Sequence, residues 1–129
     1  MGAYRTATID EMASKQYPYW VPVRHRLEIE TFGINLWHGR DDGTLIPEHE
    51  EGEGGPPELY WVVSGHATFT VAGDEVDAPA GTFVWITDPL AARGGRATEP
   101  GTLCMSVSGA APGQVYVASG WDSDYLAGE

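Results

Sequence analysis

Apolar residues in this chain come in short bursts, broken by glycine, proline and acidic residues. Over residues 32–38 they alternate: Phe32, Ile34, Leu36 and His38 fall on one face, Asn35 and Trp37 on the other. Over residues 58–63 both faces are apolar. Glu58, Tyr60 and Val62 share one side, and Leu59, Trp61 and Val63 share the other. Residues 66–71 alternate again through Ala67, Phe69 and Val71, and apolar runs follow at 82–86, 102–107 and 114–117. A period of two over four to eight residues is the mark of a strand. Turn residues fall between the runs, at Arg40-Asp41-Asp42-Gly43, Ser64-Gly65 and Ala72-Gly73-Asp74, where left-handed or Asx conformations are accessible. About eight closely spaced strands with no long helix predict an all-β sandwich or jelly roll.

The N-terminal residues read differently. Thr8 or Asp10 can cap one helical turn over 8–13. Pro18 and Pro22 then stop any helix, and Tyr17, Tyr19 and Trp20 supply apolar mass for covering a sheet. Residues 24–30 set His25, Leu27 and Ile29 against Arg24, Arg26, Glu28 and Glu30, the alternation of a half-exposed strand. The expected organisation is an arm and first strand over 1–31, a barrel over 32–117 and a tail over 118–129.

Composition narrows the function classes. A chain of 129 residues with 42% hydrophobic content suits one globular domain. The formal charge is −12, and Lys15 is the single lysine. No basic stripe is available for nucleic acid, and the acidity opposes adsorption to anionic membranes. No stretch has the length of a membrane span and no signal-peptide core appears, so a soluble cytoplasmic protein is expected. Cys104 is the only cysteine, which excludes an intrachain disulfide; its apolar setting predicts a buried, inert thiol.

Candidate chemistry gathers around residues 43–84. Glu58 leads directly into a doubly apolar strand, and a carboxylate there needs a metal, histidine or arginine partner. His49 and Glu51 stand two apart, so a strand would point both the same way. Gly43, His49, Glu58 and Gly65, followed by Gly73, Pro79 and Gly81, have the spacing of two conserved sequence motifs. In this the chain resembles the cupin family, over roughly residues 32–108. The resemblance implies a double-stranded β-helix barrel with a small-molecule pocket at its mouth. It also implies a homodimer, which the doubly apolar strand at 58–63 supports independently. The family's metal ligands map onto His49, onto Glu51 in place of a second histidine, and onto Glu58. Val84 stands where the remaining histidine would be.

Two readings follow from these residues. In one, His49, Glu51 and Glu58 hold a divalent transition metal (Fe, Mn, Ni or Zn) for an enzyme such as a dioxygenase or isomerase. In the other the pocket is metal-free and binds a small ligand, with His49 and Glu58 paired as an acid–base couple or serving no catalysis. His38, Trp37, Tyr60 and Trp85 are the candidate pocket walls. Arg93 and Arg96, beyond the Asp88-Pro89 break, either bind an anion or cap a loop.

Overall fold

The computed structural model describes residues 2–118 and 125–126. Nine strands form two antiparallel sheets among these residues. The first sheet holds β1 (Trp20–Val21), β2 (Gly33–His38), β9 (Leu103–Ser108), β4 (Glu58–Ser64) and β7 (Phe83–Ile86), in that order. The second holds β3 (Thr44–His49), β8 (Arg93–Ala97), β5 (His66–Val71) and β6 (Asp74–Pro79). The two sheets pack face to face without closing on each other. This is the all-β jelly roll that the strand spacing predicts.

Period-two geometry decides which side chains enter the space between the sheets. Tyr60, Val62, Ile86 and Cys104 from the first sheet meet Leu45, Ile46, Ala67, Phe69 and Ala78 from the second. Burial pushes the Cys104 thiol up to about 12, so it packs as an inert apolar group. The β5–β6 hairpin turns on two residues, Ala72 (φ 50°) and Gly73 (φ 87°), the paired left-handed conformation that matches strand twist.

A second, smaller core lies outside the first sheet. Here Met12, Val21 and Val23 cover Ile34 and Leu36 of β2. Helix α1 (Ile9–Met12) is started by a capping box between Thr8 and Glu11. The stretch read as a strand over 24–30 is instead helix α2 (Val23–Leu27). Val23 and Leu27 are four apart, and both join the cluster on β2. Burial of that pair outweighs the alternation of charges around it. Glu28 ends the helix in a left-handed conformation (φ 57°).

One further expectation needs correction, and one strand was unforeseen. Residues 114–117 form no strand; Val115 and Val117 are 88% and 82% exposed. Strand β8, rich in glycine and arginine, carried no strand signal. Its Gly95 leaves room for the Phe69 ring, which a Cβ would approach to 3.0 Å. Of the expected 118–129 tail, only residues 118, 125 and 126 are among those described. Among the described residues, no helix is long and apolar enough to cross a membrane.

Candidate active site

Four charged side chains meet at one end of the inter-sheet space. His49 closes β3, and Arg93, its cross-strand neighbour, opens β8. Glu58 opens β4 with its side chain on the Tyr60 face. Glu51 lies in the β3–β4 loop, where its backbone N–H donates to the Pro89 carbonyl (2.9 Å). The strands thus bring the His49, Glu51 and Glu58 of the sequence reading to one point.

The contacts are specific. His49 Nδ1 lies 2.9 Å from the Pro47 carbonyl, which fixes a proton on that nitrogen. Nε2 faces Glu51 Oε1 at 3.2 Å and Glu58 Oε1 at 3.5 Å. Arg93 Nη1 donates to the same Glu58 oxygen at 3.0 Å and lies 3.7 Å from Glu51. Its Nε and Nη2 donate to the carbonyls of Ala91 (2.8 Å) and Asp88 (3.2 Å). Arg93 is fully buried, and all three of its nitrogens are used. The Tyr60 hydroxyl also donates to Glu58 Oε1.

This network moves the proton affinities of its members. The bonds to Glu51 and Glu58 hold the His49 ring charged, raising it to about 10 against the opposing effect of burial. For Glu58, burial favours the neutral acid, but the bonds from His49 and Tyr60 and the charges of His49 and Arg93 outweigh it. The carboxyl stays below its usual range. Tyr60 is driven the other way, by burial first and by the Glu58 charge second, so its proton stays on oxygen.

The cluster borders a cavity of about 590 Å³. Tyr17, Tyr19, Trp20, Trp37 and Tyr60 give it an aromatic wall, and Asn35, Ser106 and Ser108 give it polar points. The indole N–H groups of Trp20 and Trp37 are taken by Asn35 Oδ1 (3.1 Å) and Ser106 Oγ (2.9 Å), and the two rings stack. Of the aromatic residues singled out in the sequence, Trp37 and Tyr60 line this cavity. His38 and Trp85 do not line this cavity. Facing alternates along β2, and Asn35 and Trp37 are the inward pair. His38 shares the outward face of Ile34 and Leu36 and borders a separate concavity with Gly39 and Thr102. Trp85 pairs with Leu59 on the outer face of the first sheet and is 58% exposed.

Arg93 is the site residue whose role the sequence left undecided. Its signal was faint: a lone arginine between a proline break and two glycines. Val84, at the position of the absent histidine, pairs with Tyr60 and packs on the core.

The donor set fits a metal ion in kind. One ligand atom from each of His49, Glu51 and Glu58 can be chosen so that all lie within 4.8 Å of one another. The proton on Nδ1 also leaves Nε2 as the ligating nitrogen. The charge is already partly met, because Arg93 holds the carboxylates that the ion would need.

No family model matches the chain, and no curated protein is similar to it in sequence. Solved structures do match. A cupin protein from Bacteroides fragilis superposes with a TM-score of 0.68 at 17% identity, covering 92% of this chain and 93% of its own. KdgF from Halomonas gives 0.52 at 15% identity, over 62% and 69% of the two chains. A conserved protein of unknown function from Streptococcus pyogenes gives 0.52 at 17% identity, over 63% and 66%. Strand order, the face-to-face sheets and these superpositions agree: the chain has the cupin fold, a double-stranded β-helix with its sheets left open.

Proposed function

We propose that this cupin binds a small organic molecule in its aromatic cavity and acts on it by proton transfer, without needing a metal. The observation that carries this reading is Arg93. A buried guanidinium already supplies the positive charge between Glu51 and Glu58. His49 is then the acid: its Nε2–H is shared between two carboxylates and lies at the cavity wall. A substrate group that displaces Glu51 removes the strongest bond holding that proton and brings the ring toward a working acid strength. Glu58, fixed by Tyr60 and Arg93, keeps the ring oriented and stabilises its charge.

The second reading is a mononuclear metal enzyme, favoured by the compact His49, Glu51 and Glu58 set. Iron, manganese, nickel or zinc there would act as a Lewis acid toward a bound oxygen group. Such an ion competes with the His49 proton for one nitrogen. Elemental analysis of untagged protein, joined to ¹⁵N NMR of the His49 ring, separates the two. The proton-transfer reading expects an imidazolium at neutral pH and far less than one metal per chain, even after incubation with Zn²⁺ or Mn²⁺. One metal per chain, lost in His49→Ala and Glu58→Gln, would replace it with the metal reading.

The assembly we propose is a homodimer through the outer face of β4 and β7. The arm covers β2 and stops there, leaving Phe83 and Trp85 in the open. Sedimentation velocity is the direct check.

A further inference from the structure

The chain holds 19 acidic residues against seven lysines and arginines, yet three of the arginines stand at or behind this cavity. Arg24 and Arg40 line it, and Arg93 stands behind Glu58, which with Glu51 supplies the carboxylates among its described lining. An acidic exterior turns anions away, and guanidinium groups gathered here give an anion a local partner.

Arg40 is the group placed to receive it. Its backbone is tied into a turn, with its N–H on the Thr44 carbonyl (2.8 Å) and its own carbonyl accepting from Gly43 (2.9 Å). Its guanidinium lies 4.3 Å over the centre of the Tyr19 ring. Among the described residues it makes no ion pair with a carboxylate; Asp42 of the same turn accepts from the Thr44 N–H (2.9 Å) and feels the Arg40 charge only as a minor effect. The stack orients a planar fork of donors that no described carboxylate receives. Arg24 also lines the cavity, where its Nη1 donates to the Ile29 carbonyl (3.4 Å). Tyr17, Tyr19, Trp20, Trp37 and Tyr60 give the wall an aromatic stretch, which suits a flat apolar body.

We infer that the ligand of this cavity is a ring-bearing monocarboxylate. Its carboxylate is received by Arg40 and its ring lies on the aromatic wall beside His49 and Glu58. This rests on reading the cavity as the small-molecule site, and it adds the class of molecule and the residue that selects it.

The test compares 2-naphthoate with 2-naphthamide, which share a shape and differ in charge. Binding to the full chain is followed by calorimetry and by tryptophan fluorescence. The carboxylate is expected to bind at least about tenfold more tightly, as one charge-assisted guanidinium pair provides. Arg40→Gln should remove the preference while leaving the amide affinity within about twofold. Arg40→Lys, which keeps the charge and loses the fork, should fall between. Equal affinities in the wild type would overturn the inference. So would a preference that survives Arg40→Gln, or no saturable binding of either probe at millimolar concentration. Should Arg40→Gln not fold, a wild-type preference in Arg40→Lys would overturn the role of the fork. The chemistry proposed for His49 is read separately, by its NMR signature and metal content, so either idea can fail while the other stands.

Discussion

The two faces of β4 put one strand to opposite uses. Inward, Glu58, Tyr60 and Val62 meet the second sheet, and Tyr60 and Val62 are almost fully buried. Outward, Trp61 stacks on Phe83 of β7 with the rings nearly parallel, and Phe83 remains 60% exposed. The inward face contains charge, yet every charge there is met by a partner. The outward face contains none; Leu59, Trp61 and Val63 of β4 are half-buried there, and Phe83 and Trp85 of β7 are left exposed. Hydrophobicity alone does not separate these roles. What separates them is whether something stands opposite: the inner face has the second sheet, while no described element covers this part of the outer face.

Breaking the inner network should give the largest effect. Arg93→Met leaves Glu58 buried without its guanidinium and should cost about 3–5 kcal/mol in denaturant unfolding. Arg93→Met joined to Glu58→Gln should recover much of that loss, because the unpaired charge is then gone. Recovery of nothing would mean that Arg93 acts by filling space. Next comes Tyr60→Phe, which removes one donor from Glu58. The expected loss is about 1–3 kcal/mol, with the Glu58 titration moving upward by NMR.

The pH dependence is smaller and has a definite sign. His49 binds its proton more tightly when folded, so its contribution is complete below its unfolded value near 6.5 and fades as pH rises toward about 10. The ring is more than a third exposed, and solvent screening leaves about 1–2 kcal/mol from this source. Glu58 has the opposite sign: its contribution is present above the unfolded value near 4.5 and is lost on acidification through its lower folded value. Stability should therefore peak between about pH 5 and 6.5, and His49→Ala should flatten the alkaline side.

The outer face should respond least in folding and most in association. Phe83→Ser and Trp85→Ser replace exposed groups, so dilute-solution stability should change by less than about 0.5 kcal/mol each. The double variant should nevertheless sediment as a monomer where the parent is a dimer. Equal sedimentation of parent and variant would remove the bare face as the interface.

Much of this was legible in the residues. Alternation marked β2 and β5, a doubly apolar run marked β4, and Ala72-Gly73-Asp74 marked the hairpin, because those signals are local. His49, Glu51 and Glu58 could be grouped because the glycine and proline spacing around them resembles the cupin motifs, whose ligand positions they occupy. Arg93 could not, since its link to Glu58 spans 35 positions and depends on the register of β8 against β3. The facing of β2 was misjudged for a related reason. Trp37 lends apolar bulk to the face it shares with Asn35, and only the arm settles which face looks outward: Met12, Val21 and Val23 cover Ile34 and Leu36. The helix at Val23–Leu27 escaped notice because its alternating charges mimic a strand and its true partners lie in β2.

The order of the first sheet also sets a timetable for synthesis. β2 and β4 are not neighbours; β9 lies between them, pairing with both. Some 65 positions separate the end of β2 from the start of β9, about 3–13 s of translation at ordinary speeds. Throughout that interval Ile34 and Leu36 would face water with their inner sheet neighbour not yet made. The arm precedes β2 in the chain, however, and both β1 and the Met12 cluster are available as soon as β2 emerges. The N-terminal residues can thus shield the waiting strand from other nascent chains. Deleting them should harm the yield of folded protein more than the stability of protein already folded.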